Sequence, residues 1–242
     1  MEETVRINVW SGPRNISTAL MYSFRQRADT RVIDEPLYAH YLATTSERSD
    51  HPMTEAVVAS MSPDADVVAD TVICGPCDRP VLFCKQMAHH LVDGVPARVL
   101  TDCANVLLIR DPVEVLTTIV HQLPRPSMVD IGIARQHDLL DELRDMGQDP
   151  AVIDARRLQD EPERVLTDLC RRVGIAWDPA MLSWPAGPKP EDGVWAPAWY
   201  ANAHRTTSFL PHRPKTEPLP EHVAALAAEA SAIYDGLLAR AI

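Results

Sequence analysis

Residues 9–18 read Val9-Trp10-Ser11-Gly12-Pro13-Arg14-Asn15-Ile16-Ser17-Thr18, and the reading of that stretch decides the fold. Before it, Val5, Ile7 and Val9 alternate with polar residues, the period of a half-buried strand. After it, Ile16, Ala19, Leu20, Ser23 and Phe24 recur at helical spacing. A strand therefore runs through a tight turn into a helix. The start of a helix presents unpaired backbone N–H groups and the positive end of the helix dipole, so this junction is expected to bind a phosphate or a similar anion. Arg14 adds a fixed charge, Asn15 and Ile16 add backbone donors, and Ser17 and Thr18 add hydroxyls.

The loop is not of the ATPase kind. That loop needs a second Gly followed by Lys and then Ser or Thr, so that the Lys reaches the terminal phosphates and the hydroxyl holds Mg²⁺. Here Ser17 and Thr18 stand where Gly and Lys should be, which counts against a metal-dependent P-loop kinase. A second strand-to-helix junction lies at 105–122. The apolar run Val106–Ile109 ends at Arg110-Asp111-Pro112, and a helical period follows. Pro112 suits a first helical turn and Asp111 an N-cap. Arg110 is thereby placed at the carboxyl end of a buried strand, where open α/β sheets bind ligands, and Thr118 lies about two turns along the helix.

Taken together, these residues resemble the PAPS-dependent sulfotransferases, which use 3′-phosphoadenosine 5′-phosphosulfate. The sequence from Pro13-Arg14 to the paired hydroxyls Ser17 and Thr18 is similar to the family's 5′-phosphosulfate loop. Arg110 followed by Thr118 is similar to its 3′-phosphate motif. Asp34-Glu35-Pro36-Leu37-Tyr38, Lys85-Gln86-Met87-Ala88-His89-His90 and the stretch 152–184 resemble bacterial sulfotransferases and the sulfotransferase-like domain of some aminotransferase-like proteins. Residues 188–195 are loosely similar to the family's late cofactor-covering loop. The resemblance implies a three-layer α/β P-loop fold, with a mostly parallel central sheet and helices on both faces. It also implies metal-independent transfer of a sulfonyl group from PAPS to a hydroxyl or amine of a small-molecule acceptor, leaving PAP. Arg14, Asn15, Ile16, Ser17, Thr18, Arg110 and Thr118 would bind the cofactor. Lys85 would face the transferring sulfonyl and Glu35 would take the acceptor proton. His89 and His90 are the rivals of Glu35, and His90 is kept as a catalytic candidate, because an imidazole titrates near neutrality without help. Outside such a role, Glu35 is an acid near a helix start and the histidines are helix-surface residues. The alternative function is a catalytically silent nucleotide-binding protein of the same family.

Composition agrees with this class. The chain has 242 residues, 46% of them apolar, enough for one sizeable core, so residues 1–242 are read as a single domain. Acidic groups number 34 against 23 basic ones, a formal charge of −11, which disfavours nucleic acid and anionic membranes as partners. No apolar stretch approaches the roughly 20 residues that span a bilayer, and the N-terminus begins with acidic residues instead of a signal pattern. A cytoplasmic location is expected. Five cysteines make a disulfide framework improbable. Cys74-Gly75-Pro76-Cys77 spells a redox tetrapeptide, but Asp78-Arg79-Pro80 and a strand follow it where a redox motif opens a helix, so it reads as a turn. No second Cys or His pair stands at zinc-ligand spacing.

Further strands are expected at 30–33, 81–84, 106–109 and 151–154. Helices are expected after Pro36, at 112–121, about 130–146 and 162–173, the last closed by Gly174, with a final amphipathic helix from Glu221. Residues 43–66 and 185–212 read as insertions that shape the acceptor site.

Overall fold

The computed structural model describes residues 4–45, 51–214 and 217–242. Five parallel strands form one sheet: β1 (Val5–Ser11), β2 (Thr30–Asp34), β3 (Val81–Met87), β4 (Ala104–Ile109) and β5 (Ala151–Asp154), in the order β2-β3-β1-β4-β5. Parallel neighbours require crossovers, and the helices that make them cover both faces. Alternate residues of the strands feed two cores. Trp10, Leu82, Leu107 and Ile109 pack beneath the helices Ile133–Asp145 and Ala224–Leu238. Ile7, Val9, Phe83, Val106 and Leu108 pack beneath Ser17–Arg25 and Pro162–Val173.

The alternation in β1 led to an expectation of a half-buried strand, yet from Ile7 to Ser11 the strand is buried on both faces. It lies between β3 and β4. Its polar members are satisfied inside the protein: Asn8 Nδ2 donates to Val99 O at 2.7 Å, and the Trp10 indole to Asn105 Oδ1 at 2.8 Å. β3 continues past the expected end at Cys84 to Met87, because the charge of Lys85 is met by β2, with Asp34 paired to Lys85 in register.

Caps explain several helix limits. Asp111 accepts the Val113 N–H with Pro112 in the first turn, and Gly174 closes Pro162–Val173 in the left-handed region at φ 79°. The helix expected over about 130–146 is divided. Met128–Ile131 carries a Ser127–Asp130 capping box, Gly132 turns left-handed at φ 72°, and Ile133–Asp145 follows. The division lets the chain pass against the first loop, where a Cβ on Gly12 would stand 2.4 Å from Ile131 O. In the stretch 43–66, Thr54–Ser60 is helical, while residues 46–50 lie outside the described residues. The 185–212 stretch is irregular apart from the short helix Ala196–Trp199 and a 3₁₀ turn at Ala203–Arg205.

The Cys74–Cys77 tetrapeptide is a turn after the π-helical segment Ala69–Ile73. Gly75 is packed so that a Cβ would lie 2.4 Å from Asp70 O. All five cysteines are free, and burial raises the Cys74 thiol, the reverse of a redox-active sulfur.

Two glycine substitutions test this packing in opposite directions. Gly12→Ala must push Ile131 away and should cost about 1–3 kcal/mol. Gly236→Ala, inside the last helix with open space around it, should gain about 0.5–1 kcal/mol. Scanning calorimetry should show a lower midpoint for the first and a higher one for the second.

Candidate active site

The carboxyl ends of β1, β2, β3 and β4 open on one cavity of about 790 Å³. Its rim holds both predicted anion junctions. In the first, Arg14 and Ile16 adopt left-handed backbone (φ 63° and 58°), and Ile16 hands over directly to the helix at Ser17. Left-handed residues set into such a loop suit an anion-binding nest, in which successive N–H groups turn to one side. Asn15 holds the loop in place, its Nδ2 donating to Leu108 O at 3.0 Å, and it too lines the cavity. The Ser17 and Thr18 hydroxyls and the Arg14 guanidinium line the cavity and have no hydrogen-bond or ion-pair partner among the described residues.

Arg110 enters from the end of β4. Its Nη1 donates to Arg14 O at 2.6 Å, while Nε and Nη2 donate to Glu114 Oε2 at 3.0 and 2.9 Å. Burial, and after it the Arg110 charge, lowers the Arg14 pKa, so two cations stand close together, with Glu114 paired to Arg110. Thr118 lies on the same wall, with Oγ1 donating to Glu114 O at 3.0 Å. Glu114 is also bonded to His212 from the 185–212 stretch. Sequence reading missed both residues, although the i,i+4 spacing of Arg110 and Glu114 is a readable signal.

The inner wall is built around Lys85, which is 2% exposed. Its ammonium donates to Asp34 Oδ1 at 2.9 Å, to Tyr200 OH at 2.7 Å and to Glu35 Oε1. An ammonium has three N–H bonds, and all three are engaged. Burial works to lower Lys85, yet the Asp34 and Glu35 carboxylates outweigh it and hold the ammonium above its ordinary value. Burial pushes the Glu35 carboxyl up, Lys85 opposes that shift, and Asp34 adds to it. Glu35 also sits in left-handed backbone at φ 43°, unusual for the residue before a proline, where its N–H extends the β2–β3 ladder to Lys85 O at 2.8 Å. Backbone strain of this kind gathers at functional sites.

The histidines are not helix-surface residues. They lie on the 3₁₀ turn Ala88–His90, and the His90 ring is stacked between Tyr38 and Tyr41 at centroid distances of 4.5 and 4.8 Å. His90 Nδ1 lies 3.7 Å from Glu35 Oε2. Burial drives His90 well below the usual imidazole range and takes His89 down to about 3, so both rings are neutral at pH 7. A neutral imidazole accepts or donates a hydrogen bond at that position. Sequence reading placed Asp34 and Trp195 in family-like stretches without giving either a site role, and it passed over Tyr200: the Trp195 indole donates to Tyr200 OH at 3.0 Å, and that hydroxyl contacts both Asp34 oxygens. Residues 188–194 do not line the cavity. From that part of the chain, Trp195 and residues between Ala198 and Thr206 do.

The histidines generate a pH prediction. The unfolded imidazoles protonate near pH 6.5, whereas folded His89 does so only at about 3 and folded His90 only well below the usual imidazole range. Between those values the unfolded chain binds protons that the folded chain does not, so this contribution is present above pH 6.5 and lost as pH falls. Urea midpoints should drop from pH 6.5 towards 4, and the His90→Gln variant should show a shallower drop.

Comparison with known proteins places this arrangement in context. The profile of a family described as "Sulfotransferase domain" matches residues 5–241. Two Arabidopsis thaliana proteins, branched-chain-amino-acid aminotransferase-like proteins 1 and 2, are 40% and 39% identical over 221 and 215 residues. Those matches cover 90% and 88% of this chain but 39% and 38% of the relatives, so the chain spans about two fifths of their length. Among solved structures, the sulfotransferase domain of the Synechococcus PCC 7002 olefin synthase aligns with a TM-score of 0.57 at 16% identity, covering 94% of each chain. A sulfotransferase from Alicyclobacillus acidocaldarius aligns with 0.54 at 14%, covering 99% of this chain and 98% of its own. At those identities the structural likeness shows the three-layer α/β fold alone.

Proposed function

The chain belongs to the sulfotransferase domain family, and on that premise we propose that it transfers a sulfonyl group from PAPS to a hydroxyl or amine of a small-molecule acceptor, without a metal. The observation that carries the proposal is the convergence of Arg14, Ser17, Thr18, Arg110 and Thr118 on one cavity, opposite the buried Glu35–Lys85 pair. The guanidinium and hydroxyls of the first loop, unpartnered among the described residues, together with the backbone N–H groups of its left-handed turn, have the donor character that an anionic nucleotide requires.

PAPS supplies an activated sulfonyl on a phosphate leaving group. Arg14 and the N–H groups of residues 15–18 neutralise charge beside the 5′ phosphosulfate. Arg110, steadied by Glu114 and the Arg14 carbonyl, recognises the 3′-phosphate with Thr118. Glu35, whose buried carboxyl holds a proton more tightly than a free one, takes the acceptor proton. Lys85 balances the charge of Glu35 and faces the transferring group. His90, neutral and stacked on Tyr38 and Tyr41, orients the acceptor or Glu35. Tyr38, Trp195 and Trp199 wall the acceptor end, so residues 43–66 and 185–212 set acceptor specificity. The alternative, a catalytically silent nucleotide-binding member of the family, has the same fold and cavity but no use for a strained, buried carboxyl beside a lysine.

Calorimetry should show tight PAP binding unaffected by EDTA. Arg110→Ala should weaken PAP by about 2 kcal/mol or more while leaving AMP nearly unchanged. Glu35→Gln should keep PAP affinity within a factor of a few and lower turnover by about 10²-fold or more. An absence of PAP binding would remove the assignment. Full turnover in Glu35→Gln would remove Glu35 as the base.

A further inference from the structure

Behind the Lys85–Glu35 pair lies a hydrogen-bond network that the proposed reaction leaves unassigned. Asp34 ends β2, and Tyr200 follows the short helix Ala196–Trp199, far away in the chain. A phenol has one proton to give. Lys85 and the Trp195 indole can only donate to the Tyr200 oxygen, so the Tyr200 proton goes to a carboxylate, and Asp34 at 2.8–2.9 Å is a nearer acceptor than Glu35 Oε1 at 3.4 Å. Asp34 also accepts the Gly193 N–H at 3.0 Å and the Lys85 ammonium at 2.9 Å. Each direction in the network is thereby fixed. Asp34 does not line the cavity, whereas Glu35 does. Tyr200 lines the cavity as well, but it stays neutral throughout, whereas Glu35 is to take up the acceptor proton, so the Lys85 donor on Glu35 is the one that a ligand in the cavity can take over.

We propose that Asp34 and Tyr200 are positioning residues for the transfer: they hold two of the three Lys85 donors, so that the third is shared between Glu35 and the departing oxygen. This rests on the sulfonyl-transfer reading. In the step itself, the acceptor proton moves to a Glu35 carboxyl oxygen as the acceptor lone pair forms the bond to sulfur. The sulfur–oxygen bond to the phosphate breaks, and its electron pair stays on the phosphate oxygen. A protonated Glu35 is a weaker acceptor than a carboxylate, so the third Lys85 donor turns to the oxygen where charge has appeared. Lys85 gives up no proton. Without Asp34 and Tyr200 the ammonium would follow Glu35 and the exchange would lose its direction.

The groups facing Glu35 are Asp34 on β2, Lys85 on β3, His90 on the following turn, Tyr38 on the next helix and Tyr200 on the cap. Asp34 is the carboxylate among them and repels the ionised Glu35, so Asp34→Asn should make Glu35 ionise at lower pH. Carbon-13 NMR of labelled glutamate carboxyls reads this shift directly, with or without turnover. Tyr200→Phe should lower kcat by about tenfold while acceptor KM and PAP affinity stay within about twofold, a split that a purely structural role does not produce. Should Asp34→Asn fail to fold, the Tyr200→Phe split decides alone. An unmoved Glu35 titration in Asp34→Asn, or a Tyr200→Phe enzyme with unchanged kcat or with kcat, KM and affinity degraded together, overturns the proposal while PAP binding by the parent protein keeps the sulfonyl-transfer reading. A parent protein that binds no PAP overturns both.

Discussion

An ammonium group removed from water stays charged only where acceptors replace the water it has lost, and Lys85 meets that condition three times over. Taking one partner from such a cluster leaves an uncompensated buried charge, which costs about 3–5 kcal/mol, so its parts are tied together energetically. The consequences run outward. Asp34 must stand at the end of β2 in register with Lys85, which extends β3 beyond its apolar run. Glu35 must leave the strand in left-handed backbone to return its carboxyl to the same nitrogen. The cap must lie down so that Tyr200 completes the acceptor set of Lys85, with the Gly193 N–H donating to Asp34 and the Trp195 indole to Tyr200. A Cβ on Gly193 would meet the Trp195 ring at 2.2 Å, so that docking requires glycine there.

The opposite end of the cavity is organised on a contrasting principle. Among the described residues the Arg14 guanidinium has no protein partner, while Arg110 beside it is paired with Glu114, and the two cations oppose one another. Positive charge uncompensated by the protein, next to a helix start, gives an entering anion a favourable field and a set of donors already in place. One end of the cavity is thus closed on itself and the other waits for charge. Between them, neutral His90 and the aromatic rings of Tyr38 and Tyr41 provide a wall without net charge.

Much of this was legible in the sequence where function and local structure coincide. Arg14, Ser17 and Thr18 belong to one strand-to-helix turn and Arg110 and Thr118 to another, and a parallel sheet brings such turns to one edge. Glu35 and Lys85 follow or end strands and arrive at that edge for the same reason. Tyr200 and Trp195 were not legible, because their positions depend on an irregular cap whose path is set by tertiary hydrogen bonds to Asp34 and not by any local period. The histidines were misjudged for a related reason: aromatic neighbours from another segment bury them. The break at Gly132 was missed because helical periodicity runs across it, while its cause is the approach of the first loop from over a hundred residues away.

Sulfonyl transfer itself is tested most directly by incubating the protein with PAPS and a small-molecule metabolite extract and following both products by mass spectrometry. The account predicts a new species heavier than its parent by one SO₃ group, formed in step with PAP and undiminished by EDTA. PAPS left intact throughout, or a product heavier by a phosphoryl group and dependent on Mg²⁺ and a nucleoside triphosphate, would contradict it.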